Sequence, residues 1–338
     1  MTGALDLSRE QILAYRRAAG GLEERVPITA GSLRRAAWAG LTDSVPRAAL
    51  LSIHARVIGA TPSGWEDPSL VQVWGPRFSA YVVASQDRPV FTLGRLPTDP
   101  ARRKFAEDLA SRLDAFLAGR TMTYGEAGRA LGVHPNMLRY AAPTGRVVIR
   151  WEGARQPTIR TVPKPEMDPH DARLELVRRY LHILGPGTGD AFCDWAGIRP
   201  ARGRAMFDEL QPEMTPVQTP IGERWILTSD EPAFRTPAEP SRAVRLLPTG
   251  DAYYLLQGAD RELVVPDATH RPELWTPRVW PGALLVNGEV VGTWSRAGAK
   301  VTLTAWVKLS KPAREAIEVE AKSLPLPGLP TTISVRWT

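Results

Sequence analysis

TYGEAGRALGVHPNMLRYAAPTGRVVIRWEGARQPTIRTV, residues 123–162, holds two short helical segments and a strand pair in direct succession. Residues 123–133 and 134–143 read as helices joined at Gly132, and residues 146–162 as two alternating strands around Glu152–Gly153. Ahead of them, DPARRKFAEDLASRLDAFLAG (99–119) sets Phe105, Leu109, Leu113, Phe116 and Leu117 at helical 3–4 spacing. A helix, a helix pair and a two-stranded hairpin in that order make a winged helix.

The plan recurs downstream. Residues 172–185, 188–198 and 199–210 read as three helices, and 215–229 as a hairpin around Ile221–Gly222. Upstream, residues 8–20 and 28–40 read as helices and 71–85 as strand-like, a looser fit to the same order. From about residue 241 the chain turns to alternating apolar segments, with Asn287–Gly288 as a two-residue hairpin signal and 311–325 as one helix. The expectation is an α+β chain: three tandem winged-helix units and a C-terminal antiparallel, barrel-like β module. Its boundaries fall at 1–97, 98–166, 167–240 and 241–338.

The chain has 338 residues, with 37 arginines against 6 lysines and a formal charge of +7. A GC-rich coding bias explains the arginine preference but not the positive excess. That excess attracts polyanions through counterion release, and guanidinium groups fork onto phosphates and stack on bases. No apolar run nears the roughly 18 residues of a membrane span, and the N-terminus has no signal-peptide core. A single cysteine, Cys193, excludes an internal disulfide framework and a multi-cysteine metal site. Neither a phosphate-binding glycine loop nor a metal-spaced histidine cluster is present. The expected setting is a cytoplasmic monomer on duplex DNA of the bacterial nucleoid, without cofactor or metal.

Contacts to DNA are expected first from the middle unit. Residues 132–140 read as its recognition helix, turning His134, Asn136, Arg139 and Tyr140 outward. Arg146, Arg150, Arg155 and Arg160 lie on the hairpin, Arg146 and Arg150 sharing a face with Val148, at a spacing suited to phosphates. Any one of these arginines reads equally well as a solvated cation. In LLSIHARVIG (50–59), Ser52 and His54 alternate with apolar neighbours; on an extended segment both side chains face one cleft. The alternative is a core histidine beside a serine that closes a helical turn. Trp65, Trp74 and Tyr81 are base-stackers or core aromatics. Asp43, Glu66, Asp67 and Asp87 read as loop acids, and Asp190 as an N-cap.

RRYLHILGPGTGDAFCDWAGI (178–198), VRLLPTGDAYYL (244–255), DREL (260–263) and LLVNGEVVGTW (284–294) occur in the order found in the AlkZ-type, YcaQ-related winged-helix DNA glycosylases, and the chain resembles that family over nearly its full length. In the family a Gln-Φ-Gln or Gln-Φ-Asp segment follows the first helices and precedes an Arg-Gly-Thr-Leu-His-Leu-Val-like strand. Here the strand is RFSAYVV, with Arg77 in place and Tyr81 where histidine stands, and Ser52-Ile53-His54 takes the position of the first motif.

The resemblance implies a monofunctional DNA glycosylase of base-excision repair. Water replaces the damaged base at C1′, and no lysine Schiff base forms. His54 would accept the proton and Ser52 orient the water; Arg56, Arg77 and Tyr81 would hold the DNA. Cationic N7- or N3-alkylated purines leave without protonation, so they are the expected substrates, with bulky adducts and interstrand crosslinks in reach. Two other readings stand beside this one. A protonated His54 would favour neutral deaminated purines such as hypoxanthine, and a non-catalytic winged-helix regulator would bind DNA without cutting.

Overall fold

A computed structural model of the chain describes residues 5–45, 47–153, 155–328 and 332–338. The first unit is built by helices Arg9–Ala19, Ala30–Ala36 and Ala48–His54, then strands Leu70–Trp74 and Ala80–Ala84. Reciprocal caps start the first two helices, Ser8 with Gln11 and Thr29 with Ser32, and satisfy main-chain donors that the helix itself leaves open. The third helix starts differently. Arg47 sits at its head in a left-handed conformation, φ 68°, with no side-chain cap.

In the second unit Asp99 caps helix Pro100–Leu117, and Thr123 with Glu126 caps helix Tyr124–Ala130. The segment expected as an α-helical recognition element is a 3-10 helix, Pro135–Thr144. Proline stands at its first position and again at Pro143, where the missing N–H and the ring work against the i→i−4 ladder of an α-helix. Strands Val147–Arg150 and Thr158–Thr161 complete the hairpin. The third unit has helices Pro169–Leu184, Gly189–Ala196 and Pro200–Glu209 and strands Met214–Gln218 and Arg224–Leu227.

The sheets tie the units together. One six-stranded sheet runs in the order Leu41–Thr42, Ala80–Ala84, Leu70–Trp74, Val147–Arg150, Thr158–Thr161, Met122–Thr123, with Gln72 facing Ile149 across the join between the first two units. The N-terminal strand Leu5–Asp6 adds in parallel to Met214–Gln218 of the third. In the C-terminal module the Asn287–Gly288 turn, φ 51° and 87°, joins Gly282–Val286 to Glu289–Ala297 as the sequence signals. The module is an open five-stranded sheet that does not close into a barrel. Its last pair, Lys300–Ala305 with Ser334–Trp337, is parallel because helix Lys311–Lys322 crosses between them.

Burial follows the same plan. The largest apolar cluster joins Ile12, Tyr81 and Phe91 to Tyr180, Phe192 and Tyr254, so the first unit, the third and the C-terminal module share one core. The second unit has its own, around Leu109, Leu113, Leu138, Val147 and Ile159, with Trp74 and Ala80 of the first unit packed in. Each such leucine or isoleucine contributes roughly 1.5–3 kcal/mol by leaving water, enough to fix the hairpin turns on which the polar groups sit.

Candidate active site

Residues 51–54 are helical, not extended, and that separates the two polar side chains expected to share a cleft. Ser52 is buried and donates its hydroxyl to Asp251 Oδ2 at 2.6 Å. His54 lies against the other end of the C-terminal module, its Nε2 3.0 Å from the Ser323 hydroxyl. It is 9% exposed, and burial, with Arg25 and Arg245 nearby, pushes its pKa down to about 4. A neutral imidazole closed off in this way is the core histidine of the alternative reading, paired with the Ser323 hydroxyl.

Two further expectations fall with these. Arg56 is buried and faces inward, donating to both Asp251 oxygens, to the Gly20 carbonyl and to the Ser52 carbonyl. Tyr81 is fully packed, its ring filling the space left by Gly40 and Gly75, where an added Cβ would come to 2.9 Å from it. Neither side chain is open to the surface.

The hairpin arginines divide into two groups. Arg146 is held by Asp114 (2.8 Å) and Ser111, and Arg150 by Glu66 and Glu152 (both 2.6 Å). Val148, expected on their face, is buried. Arg155 and Arg160 are exposed on the same hairpin, as is Arg77 on the turn between Leu70–Trp74 and Ala80–Ala84. His134 and Asn136 are exposed at the head of the 3-10 helix, and Arg139 is half-buried with its guanidinium 5.9 Å from the centre of the Trp74 ring.

A different acid emerges. The extended segment that follows the first two helices is Leu41–Thr42, paired with Ala80–Ala84, and Asp43 continues it, its N–H donating to the Ala80 carbonyl at 2.8 Å. Asp43 is buried, contrary to its reading as a loop acid; so is Asp87, which Arg34 and Arg179 hold. Asp190 lies inside its helix, where Thr188 is the cap, and pairs with Arg204.

Gln72 donates to Asp43 Oδ2 at 2.5 Å, the Ala49 N–H to Oδ1 at 3.2 Å, and Arg47 stands at 3.5 Å. Desolvation outweighs these partners and raises the Asp43 carboxyl to about 7. The Arg47 guanidinium that touches Asp43 also lies 3.7 Å from the centre of the Trp65 ring, and Arg150 lies 4.8 Å from the same ring. Gln72 passes the network on, accepting from the Trp151 N–H at 2.6 Å. The result is a buried carboxyl with a pKa near neutrality under an Arg–Trp–Arg stack at the root of the hairpin.

Backbone strain falls on Arg47 and on the turn between the strands Leu70–Trp74 and Ala80–Ala84. Among the described residues five non-glycines have positive φ, and three of them are Arg47, Arg77 (54°) and Phe78 (56°). Each such residue costs on the order of 1–2 kcal/mol and persists only where packing over-determines it, as happens at functional sites. The signal for Asp43 in the sequence is slight: a lone acid between the apolar runs 36–41 and 48–51. Among the described residues no group of three His, Cys, Asp or Glu side chains is placed to hold a metal ion, and no helix is long and apolar enough to cross a membrane.

Comparisons with known proteins point to one family. The model of the family described as DNA glycosylase AlkZ-like matches residues 33–325. Among solved structures, the Streptomyces sahachiroi DNA glycosylase AlkZ has a TM-score of 0.80 at 19% sequence identity, covering 99% of this chain and 100% of its own. At that identity the likeness bears on the fold. A comparison with curated proteins returns no match.

Proposed function

The chain belongs to the AlkZ-like family of DNA glycosylases, a DNA-repair activity, and from that premise we propose that it hydrolyses the N-glycosidic bond of alkylated purines with Asp43 as general base. The observation that carries this reading is the Asp43 carboxyl itself, raised to about 7 by burial at the end of the extended segment Leu41–Thr42. In its ionised form it takes a proton from water. The water oxygen bonds to C1′, the C1′–N bond breaks, and its electron pair leaves with the base. Gln72 holds the carboxylate in position.

The leaving group sets the substrate class. An N7- or N3-alkylated purine carries a positive charge that the departing electron pair cancels, so it needs no acid. The acids beside the stack, Glu66 and Glu152, are both engaged by Arg150, so neither is free to donate a proton to a neutral purine. Bulky adducts and crosslinks are cationic at the same ring nitrogen and belong to the same class. With His54 neutral and enclosed, the histidine-based route to hypoxanthine loses its donor.

Arg47 covers Asp43 and reaches Trp65, so a DNA phosphate that draws this guanidinium outward opens the carboxylate to water. The exposed Arg77, Arg155, Arg160, His134 and Asn136 serve the duplex around it. A monomer acting on the cytoplasmic nucleoid fits a chain that carries all three winged-helix units itself.

The test is base release from duplexes bearing N7-methylguanine, ethenoadenine, hypoxanthine or a crosslink, with Asp43→Asn as the comparison. Release of N7-methylguanine that drops about 10²–10⁴-fold in the variant is expected for loss of a general base. Equal release by both proteins removes Asp43 from the chemistry. Tight duplex binding with release of no base makes the chain a DNA-binding protein without a working active site.

A further inference from the structure

Between the second and third winged-helix units lies a cavity of about 670 Å³ that the chemistry above leaves unused. Four guanidiniums line it, Arg95, Arg102, Arg199 and Arg202, against the single carboxylate of Asp99. Asp99 is occupied in capping its helix, accepting the Arg102 N–H at 2.9 Å. The acceptors supplied to the two inner arginines are main-chain carbonyls: Trp74 and Ala196 for Arg95 (both 3.3 Å), and Leu96 (2.6 Å) with Gly94 and Arg95 for Arg202. Arg95 is 6% exposed, and burial lowers its pKa, like that of Arg202, to about 10. Positive charge held out of water without a counter-ion is costly, and an anion entering the cavity relieves that cost.

The other wall is aromatic. Tyr140 and Phe105 are among the few large apolar side chains left exposed, at 46% and 43%. Their rings stand edge to face, 6.3 Å apart, and Phe78 meets Tyr140 at 5.2 Å from its strained turn. Arg95 lies 4.9 Å from the centre of the Phe78 ring. An inorganic anion has no use for three rings, and an apolar ligand leaves four charges unanswered. A phosphate joined to a nucleobase meets both walls, and the volume lies within the usual range for a small-ligand site.

We propose that this cavity binds a nucleotide, its phosphate on Arg102 and Arg199 and its base against Tyr140 and Phe105. The turn that carries Phe78 runs into Ala80, whose carbonyl accepts the Asp43 N–H. The pocket therefore borders the strand Ala80–Ala84 that also pairs with the segment carrying the proposed general base, so a strand unstacked beside a lesion would lie within its reach. The inference takes from the proposed function only that the chain handles nucleotides; it does not depend on Asp43 chemistry.

Calorimetric titration of the full-length protein with deoxyadenosine 5′-monophosphate, deoxyadenosine and inorganic phosphate tests it. The nucleotide is expected to bind about ten-fold or more tightly than either half alone. Arg102→Gln with Arg199→Gln, and separately Tyr140→Ala, are each expected to weaken it by about ten-fold or more; all three side chains are exposed, and thermal melts confirm that the variants fold. Displacement of the nucleotide by a duplex with a single-stranded flap, and not by a blunt duplex, makes the DNA strand its source. Resistance to both makes this a site for the free nucleotide. Binding no tighter than that of phosphate, or indifferent to Tyr140→Ala, overturns the proposal. Asp43→Asn is expected to leave the titration unchanged, so this inference and the catalytic reading fail separately.

Discussion

Arg56 and Asp251, 195 positions apart in the chain, meet in the interior with Nη1 2.7 Å from Oδ2 and Nη2 2.8 Å from Oδ1. Ser52 donates to the same carboxylate at 2.6 Å and the Tyr253 N–H at 3.0 Å, so one acid fastens the first winged-helix unit to the C-terminal module. Removing one partner strands the other charge out of water. Asp251→Ala is expected to cost about 3–5 kcal/mol, and Ser52→Ala about 1.5–3 kcal/mol, measured by urea unfolding. These partners hold the Asp251 carboxyl below its ordinary pKa. Its contribution is therefore fully present above the unfolded value and is lost as pH falls through the lower folded one. An Asp251→Ala protein as stable as the parent removes the staple.

His54 titrates in a different window. Its folded pKa, about 4, lies below the ordinary value of 6.5, so between the two the unfolded chain binds a proton that the folded one does not. Stability therefore falls as pH drops from 6.5 toward 4 and levels off below, by at most about 3.5 kcal/mol at 1.4 kcal/mol per pH unit. His54→Gln is expected to flatten that part of the stability profile while leaving base release at pH 7.5 within about two-fold of the parent, since each two-fold change is only ~0.4 kcal/mol. A large loss of release with unchanged stability would return His54 to the active site.

Why Ser52 and His54 misled, while the fold did not, comes down to period. Long stretches such as 99–119 repeat their apolar positions over several turns, and caps at Asp99 and Thr123 mark their ends, so the helices of the middle and third units are legible. Residues 48–54 make one short helix buried on every side. Where all faces are apolar, alternation carries no phase, and two polar residues that bind two different partners in the C-terminal module look like a strand face. Asp43 was hidden for the opposite reason: its partner Gln72, and the Trp65 and Trp151 that Arg47 and Gln72 meet in turn, are distant in sequence and contribute nothing to its local pattern. The 3-10 helix at 135–144 was legible in position but not in type, because Pro143 acts on the ladder only once the preceding turn is formed.

Arg155 and Arg160 stand exposed on the hairpin beside Arg150, which two carboxylates already neutralise. Phosphate contacts act through released counterions, so each arginine lost from such a contact lowers the slope of log K against log salt by about one. Arg155→Ala and Arg160→Ala are each expected to do so, equally on damaged and undamaged duplexes, in fluorescence anisotropy between low and moderate salt. Arg150→Ala frees Glu66 and Glu152 as it removes a cation, and is expected to weaken binding more than either. Unchanged slopes for both exposed arginines would move the duplex off this hairpin.

Asp43 makes stability and activity run in opposite directions with pH. Its folded pKa, about 7, lies above the ordinary carboxylate value of 3.8, so between the two the folded protein holds a proton that the unfolded chain has lost. Stability then falls as pH rises through this window, by at most about 4.5 kcal/mol at 1.4 kcal/mol per unit. Base catalysis needs the ionised form, so kcat/KM on an N7-methylguanine duplex is expected to rise through pH 7 and level off above 8. Asp43→Asn keeps the Gln72 contact within reach of an amide but has no proton to lose. It is expected to flatten the stability profile between pH 4 and 7, gain stability at pH 8, and lose the rise in rate. Both effects must disappear in the same variant, because both come from one carboxyl held out of water. A rate profile that keeps its rise in Asp43→Asn assigns the base elsewhere, and a stability profile that keeps its fall means another buried acid carries the proton.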